Sequence, residues 1–318
     1  MKRVYVSRRL PPLAMEALGK ICDYDVNPDN RHASREELIN GLKNYEAVVS
    51  MLNNKIDAEM IAQAGSQLKL IANYAVGFNN IDVKAANARG IFVSNTPDVL
   101  TDATADLAWA LLFAAARRVV EGDHIARTER FTGGPEYLLG ADITGKTLGV
   151  VGAGRIGSNF ARKGALGFGM KVLYYGHHSS PALDEVGGKL VSLDELLAES
   201  DYVSLHCPLT PETRHLIGAE QLAKMKPSAI LINTARGPVV DEKALASALA
   251  NHTIAAAGLD VYENEPDVDP ALETLANVVM MPHVGSATLG TRTNMGLMVA
   301  RNVEAVLNGS TPPNEVKL

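Results

Sequence analysis

An arginine, a glutamate and a histidine stand in loops that each follow a strand-like run, at Arg236, Glu265 and His283. An arginine can grip a carboxylate with two parallel N–H bonds and polarise a carbonyl beside it. A histidine held by a carboxylate stays protonated near neutral pH and can give its proton to a developing oxyanion. Beside a bound dinucleotide, such groups supply what carbonyl reduction needs, a proton donor and a group that orients the substrate. Each also has a plainer explanation. Arg236 could be a surface or helix-capping charge, Glu265 beside Pro266 a solvated loop carboxylate, and His283 a satisfied structural histidine. Their occurrence at three successive strand ends, where open parallel sheets bind ligands, favours a joint role. His206, before Cys207 and Pro208, is read as structural or as supporting a neighbour.

The dinucleotide would be held by Thr147-Leu-Gly-Val-Val-Gly-Ala-Gly-Arg-Ile-Gly157. Gly152 permits a tight turn, Gly154 lets a pyrophosphate approach the backbone, and Gly157 lets the following helix pack close to the strand. The first N–H groups of that helix have no helical partner and face the diphosphate. The bare spacing is weak evidence among 27 glycines. The apolar strand before it, the helical stretch Ile156 to Leu166 and the second strand Lys171 to Tyr175 make it a βαβ unit. About 20 residues beyond the glycines, NADH sites carry an acidic residue for the ribose hydroxyls. That position is Gly176, followed by His177, His178 and Ser179. No carboxylate there repels a 2′-phosphate, and the three polar residues can donate to it. The expectation is NADP(H) ahead of NAD(H), with Arg155 supplying the charge that no arginine between Gly176 and Pro181 provides. An ordinary polar turn would carry the same residues.

Strand and helix signals alternate along the whole chain. Arg3–Ser7, Ala47–Ser50, Leu68–Ala72 and Ile91–Ser94 read as strands. Between them lie helices opened at Pro11-Pro12, the capping box Ser34-x-x-Glu37, Asp57 and Asp82. A long helix is expected over Val99–Glu121, its segment Leu107–Ala116 apolar on every face and so buried on more than one side, between domains or in a dimer contact. Residues 127–141, with Gly133-Gly134-Pro135, read as an irregular loop. After Thr147 the rhythm repeats through a capping box at Ser192-x-x-Glu195, strands Asp201–His206 and Ser228–Asn233, a helix Asp241–Asn251, and strands Ile254–Asp260 and Val278–Met281. Such alternation predicts an α/β protein of two doubly wound parallel sheets, with the active site in the cleft between the domains. The last helix, Ala287–Asn308, has no strand left to serve in the second unit. It is therefore expected to return to the first, giving a substrate domain of residues 1–98 plus 287–318 and a dinucleotide-binding domain of 99–286.

Composition sets the remaining bounds. The 318 residues are 47% hydrophobic and 21% charged, with a net charge of −6. That balance, without a Lys/Arg cluster, argues against nucleic acid or anionic membranes as partners. The N-terminus is expected to be a strand and not a signal peptide, because charge returns at Arg8 and Arg9. Two cysteines, Cys22 and Cys207, imply no disulfide framework and fit the cytoplasm. No metal-ligand pattern is visible.

Six motifs, in order, resemble those of the D-isomer-specific 2-hydroxyacid dehydrogenases over essentially the full length. They are Asn73-Tyr-Ala-Val-Gly-Phe-Asn-Asn-Ile-Asp82, Gly152-Ala-Gly-Arg-Ile-Gly157, His206-Cys-Pro-Leu-Thr-Pro-Glu-Thr213, Ile232-Asn-Thr-Ala-Arg-Gly237, Leu259-Asp-Val-Tyr-Glu-Asn-Glu-Pro266 and Pro282-His-Val-Gly-Ser286. Within the family the chain is most similar to glyoxylate/hydroxypyruvate and 2-ketogluconate reductases. The resemblance implies Rossmann-like and flavodoxin-like domains and NAD(P)H-dependent reduction of a small 2-oxo acid to the D-2-hydroxy acid. It implies that Arg236 orients the substrate, His283 protonates its carbonyl oxygen and Glu265 holds and biases His283. Val76 and Gly77 would offer N–H groups to the substrate carboxylate, with Leu52 and Asn53 lining the pocket. Arg155 and Ile156 would meet the pyrophosphate, and Asp260 the nicotinamide carboxamide. Thr104, Cys207, Pro208, Thr213, Thr234, Ala235 and Gly285 would complete the cofactor wall. Family members dimerise through the cofactor domain, which suits the apolar helix containing Trp109.

Pocket size, and hence the choice among glyoxylate, hydroxypyruvate and longer sugar acids, would depend on loops around Leu52 and residues 131–137. The D-3-phosphoglycerate dehydrogenase alternative is weakened because many such chains add a regulatory domain. Formate dehydrogenases place Gln where Glu265 stands. A dinucleotide-sensing corepressor would keep the cofactor site but rely on peptide-binding surfaces and tails, and no tail is visible.

Overall fold

A computed structural model describes residues 2–29, 31–131 and 133–317 of the chain. Thr132, in the loop expected to help set pocket size, lies outside the described residues. The chain forms two compact units, residues 1–100 with 286–318, and residues 101–285.

The first unit runs β1 (Arg3–Val6), α1 (Pro12–Gly19), β2 (Asp23–Val26), α2 (Arg35–Asn44), β3 (Ala47–Met51), α3 (Ala58–Ala62), β4 (Leu70–Tyr74), α4 (Val83–Ala88) and β5 (Phe92–Ser94). Its five strands pair in parallel in the order β2-β1-β3-β4-β5. β1, β3 and β4 are almost wholly apolar because helices cover both faces of such a sheet. The helix starts have local causes. Ser34 and Glu37 complete a reciprocal capping box, and Asp57 and Asp82 accept from the third residue of their helices. β2 has no counterpart among the expected strands. Its Asp-Tyr-Asp-Val pattern is that of an edge strand with a solvated side, and apolar runs do not reveal it.

The second unit begins with α5 (Thr101–Ala116) and α6 (Val119–Thr128). The single long helix expected over 99–121 is therefore two. Arg118 adopts φ 50°, a left-handed conformation that ends the first helix and aims the next elsewhere. Helical structure also reaches into the stretch expected to be irregular from residue 127. α5 buries Ala108, Trp109, Leu111, Leu112 and Ala115 in the core of its own unit. The Trp109 indole N–H donates to the Phe160 carbonyl at 3.1 Å, and the ring stacks on Phe160. Packing within one subunit accounts for the apolar character of this helix.

The chain continues through β6 (Thr147–Val151), α7 (Arg155–Phe168), β7 (Lys171–Tyr175), α8 (Pro181–Asp184), β8 (Lys189–Leu190), α9 (Leu193–Glu199), β9 (Tyr202–Leu205), α10 (Ala219–Lys224), β10 (Ile230–Asn233), α11 (Glu242–Ala250), β11 (Ala256–Leu259), α12 (Pro270–Glu273) and β12 (Val278–Met280). Seven parallel strands form one sheet, ordered β12-β11-β10-β9-β6-β7-β8. Chain order reverses at β6, the strand that feeds the glycine loop, and open sheets of this kind bind ligands at that reversal. At α9 Ser192 accepts from the Glu195 N–H, which is one half of the expected capping box. The last helix, α13 (Leu289–Leu307), packs on α1 and β4 of the first unit. Gly296 makes that packing close, since a methyl there would overlap the Ala14 side chain.

Candidate active site

The loop after β6 explains its three glycines. Gly152 has φ 96°, and a Cβ there would collide with the backbone of His206 and Cys207. A Cβ at Gly157 would overlap the Gly152 carbonyl, so only hydrogen lets α7 start so close to the loop. A Cβ at Gly154 would meet nothing within 4 Å, leaving open space over the helix start, and no side chain caps α7. Helix-start N–H groups beneath an open approach are what a diphosphate requires. Arg155 is exposed at this rim and Ile156 half-buried. Across β6, at the end of β7, Gly176 is half-buried and His177, His178 and Ser179 are exposed.

The strand ends beside this loop carry the other residues expected to face a cofactor. At the end of β9, His206 Nε2 lies 2.9 Å from Ser204 Oγ, while its buried Nδ1 has no partner. Burial pushes the His206 imidazole down to about 3, so it is neutral. Burial also pushes the Cys207 thiol up to about 11, which makes it an inert wall and not a nucleophile. Thr213 Oγ1 donates to the Pro208 carbonyl at 2.6 Å and accepts from the Thr210 N–H at 2.8 Å, closing the turn. After β10, Ala235 is buried, and the Thr234 hydroxyl is buried with no partner. After β11, Asp260 is 1% exposed and accepts from the N–H groups of Val284 and Gly285 at 2.7 and 2.8 Å. Burial raises its carboxyl, against those two N–H bonds and the His283 charge. Gly285 sits tightly between Asp260 and Thr104. These residues fit a dinucleotide, because the glycine loop offers an open cradle and Thr234 an unused hydroxyl.

Arg236, Glu265 and His283 follow β10, β11 and β12, and the second unit brings them together. His283 Nδ1 is 2.7 Å from Glu265 Oε2, and the other Glu265 oxygen accepts from the Tyr262 N–H at 3.0 Å. Burial pushes the Glu265 carboxyl up. The His283 bond and charge, the Tyr262 N–H and the nearby Arg236 outweigh it and hold the group below the ordinary carboxylate range. Burial pulls the Arg236 guanidinium down, opposed by Glu265, though arginine stays charged regardless. Arg236 Nη1 donates to its neighbour's carbonyl at Ala235, at 2.6 Å. Asn233 holds the turn from both sides, donating to the Arg236 carbonyl and accepting from the Ala235 N–H, each at 3.0 Å. Sequence reasoning gave Asn233 no role. The available signal was an asparagine directly after the apolar run Ile230-Leu-Ile232; the structure leaves it 1% exposed, and a buried amide must find partners.

In the first unit, Leu52 and Asn53 follow β3, and Val76 and Gly77 follow β4. Order reverses between β1 and β3 in this sheet, so the loop after β3 stands at a switch point and the loop after β4 lies on the next strand. The loops are tied together. Asn80 Nδ2 donates to the Met51 and Asn54 carbonyls, both at 3.1 Å, and Asn73 Nδ2 donates to the Gly77 carbonyl at 2.8 Å. Asn54 accepts from Ser7 Oγ and the Met51 N–H, both at 2.7 Å. The Asn53 amide lies 2.7 Å from His32 Nδ1.

A doubly wound sheet with a glycine loop at its reversal, and a histidine–carboxylate pair beside an arginine at the neighbouring strand ends, is the equipment of a dinucleotide-dependent dehydrogenase. Residues 109–285 match the NAD binding domain of the D-isomer specific 2-hydroxyacid dehydrogenases, and the chain belongs to that family. Its relatives include the glyoxylate reductase of Thermococcus kodakarensis, 48% identical over 320 residues, which cover 99% of this chain and 96% of that one. A crystal structure of a Thermus thermophilus protein superposes with TM-score 0.92 at 45% identity, over 99% of this chain and 100% of the other. The NADPH-dependent glyoxylate/hydroxypyruvate reductase of Sinorhizobium meliloti, in complex with NADP and malonate, gives TM-score 0.86 at 31% identity, over 99% of this chain and 96% of that one. The protein is thus a D-2-hydroxyacid dehydrogenase with a nicotinamide dinucleotide cofactor.

Proposed function

We propose that the enzyme reduces a small 2-oxo acid of the glyoxylate or hydroxypyruvate type to the D-2-hydroxy acid, using NADPH ahead of NADH. The observation that carries this reading is the 2.7 Å pair of His283 and Glu265, with Arg236 near the same carboxylate. Reduced nicotinamide, when bound, supplies the hydride. The protein supplies the rest. Arg236 draws electron density from the 2-oxo group and fixes its orientation through paired N–H donors. Glu265 accepts from His283 Nδ1, which leaves Nε2 to deliver a proton as negative charge builds on the carbonyl oxygen. Val76 and Gly77 receive the substrate carboxylate on backbone N–H groups, beside Leu52 and Asn53. The glycine loop holds the pyrophosphate, with Arg155 and Ile156 at its rim. Thr104, Cys207, Pro208, Thr213, Thr234, Ala235, Asp260 and Gly285 wall the nicotinamide and ribose. Residues 1–98 with 287–318 serve substrate, and residues 99–286 serve cofactor.

Cofactor preference rests on Gly176 and the exposed His177, His178 and Ser179, where no carboxylate opposes a 2′-phosphate. The Sinorhizobium meliloti relative, described as NADPH-dependent, points the same way. We also infer a homodimer formed through the cofactor domain. α6 buries none of its residues, and Val119, Val120, Phe131 and Leu139 around it are each more than half exposed, an apolar surface that a second copy would cover. We infer a cytoplasmic location, which the two free cysteines support. Among the described residues no helix is long and apolar enough to cross a membrane. Purified protein given glyoxylate or hydroxypyruvate with NADPH should turn over. A protein that binds NADPH but reduces no 2-oxo acid would be a sensor and not this enzyme.

A further inference from the structure

Building on the carboxylate-binding role proposed for Val76 and Gly77, we propose that Asn95 is a positioning residue whose side-chain amide sets the direction of the Gly77 N–H, beside the Val76 N–H that the Thr96 backbone orients. Three consecutive carbonyls of this turn are anchored. The Ala75 carbonyl accepts from the Thr96 N–H at 2.8 Å, the Val76 carbonyl from Asn95 Nδ2 at 2.7 Å, and the Gly77 carbonyl from Asn73 Nδ2 at 2.8 Å. In a trans peptide the N–H points opposite to the C=O. Pulling the Ala75 and Val76 carbonyls toward residues 95 and 96 therefore turns the Val76 and Gly77 N–H groups to the other side. Neither N–H donates to any group among the described residues. Successive N–H groups facing one way form a concave receptor for an anion. Donors whose direction is already fixed bind charge without a cost of reorganisation.

Asn95 has a firm base for this task. Its own N–H donates to the Asn314 carbonyl at 3.2 Å, and the Asn314 N–H donates to Asn302 Oδ1 at 3.0 Å. Asn302 is fully buried in α13. Further along, the Val316 N–H donates to the Val93 carbonyl at 2.8 Å, and Glu315 bridges Ser94 in antiparallel sense. The C-terminal segment thus runs as an extra edge beside β5 and holds the residue that holds the turn. The position needs a donor. A carboxylate of the same shape would set an oxygen against the Val76 carbonyl oxygen and a negative charge near the substrate's own.

The test compares Asn95→Asp and Asn95→Ala in the holoenzyme with saturating NADPH. KM for glyoxylate should rise roughly tenfold or more in both, at least as far in Asn95→Asp, with kcat falling less than KM rises and the KM for NADPH unchanged. The inhibition constant of oxalate should rise in parallel. A packing role gives the reverse order, since aspartate keeps the volume of asparagine and alanine does not, and wild-type KM values in Asn95→Asp would overturn the proposal. Amide exchange of residues 75–78 separates the two levels of the argument. In wild-type holoenzyme oxalate should protect these amides, and in Asn95→Asp it should protect them much less. No protection in the wild type overturns the carboxylate role itself, and the Asn95 inference falls with it. Full protection in both proteins overturns the role of Asn95 alone.

Discussion

His283 presents Nδ1 to Glu265 Oε2 at 2.7 Å from a backbone held at φ 54°, a left-handed conformation that few non-glycine residues adopt. Strain of this kind persists only where the surroundings impose it, and it gathers at functional sites. Here it aims the ring so that one nitrogen meets the carboxylate, and in the proposed mechanism the other serves the substrate. His283→Ala should lower kcat for reduction by about 10²- to 10⁴-fold, the range for losing a positioned general acid. Affinity for NADPH, read by fluorescence titration, should hardly change. A variant retaining more than half of wild-type turnover would remove His283 from the mechanism.

Glu265→Gln keeps the shape of the pair and removes its charge. In the proposed mechanism the carboxylate holds and orients His283 through Nδ1, so kcat/KM for glyoxylate should fall by roughly tenfold or more in the variant, about 1.4 kcal/mol or more. The charge also bears on stability. Glu265 is held below the ordinary carboxylate range in the folded protein, so its stabilising contribution is present at neutral pH and lost as pH falls through its folded value. Thermal unfolding of the Gln variant should accordingly depend less on pH in the acid range. Wild-type kcat/KM in Glu265→Gln, with Tm profiles that superimpose in acid, would show that the charge of Glu265 serves neither.

Arg236→Lys should not be conservative. A lysine offers a point charge where, in the proposed mechanism, the guanidinium presents a planar fork to the substrate's carboxylate and neighbouring carbonyl. Loss should appear chiefly in kcat/KM, of the order of 1.5–3 kcal/mol or more for charged hydrogen bonds. Wild-type kinetics in Arg236→Lys would reduce the residue to a structural charge.

How much of this was legible beforehand follows from where each signal resides. β6, β9, β10 and β11 could be read because strands covered on both faces are continuous apolar runs. The glycine loop could be read because backbone geometry at Gly152 and Gly157 excludes every other residue. β2 could not, being an edge strand of alternating charge. Nor could the break at Arg118, where a non-glycine residue takes a left-handed conformation with no local signature. Arg236, Glu265 and His283 stood out by residue type and by their place after strands. Asn95 did not, because its partner at Val76 is set by the pairing of β4 with β5, which no local stretch encodes.

Gly237 tests how tightly the arginine turn is built. A Cβ there would overlap the Tyr262 carbonyl and crowd the Glu263 N–H, and both obstacles are backbone. Gly237→Ala must therefore push the turn carrying Arg236 away from the loop carrying Glu265. Overpacking of this kind typically costs about 1–3 kcal/mol. Both Tm and kcat/KM should fall together. An unchanged Tm would mean that the two loops yield freely and that their spacing is not fixed by this contact.

The proposed preference for NADPH turns on Gly176. NADH sites usually place Asp or Glu at this point, bonded to the ribose hydroxyls, and that charge repels a 2′-phosphate. Gly176 has ordinary backbone geometry, and a Cβ there would have only the Ala153 nitrogen and the His178 carbonyl near it, at 3.9 and 4.0 Å. A side chain can thus be introduced without strain, so Gly176→Asp tests charge and not packing. In the wild type, kcat/KM with glyoxylate should be higher for NADPH than for NADH. In Gly176→Asp the NADPH value should drop by roughly tenfold or more, the effect of about 1.4 kcal/mol or more against the phosphate, while NADH is spared or improved. NADH used as well as NADPH by the wild type, or a ratio unmoved by Gly176→Asp, would refute the assignment of this loop to the 2′-phosphate.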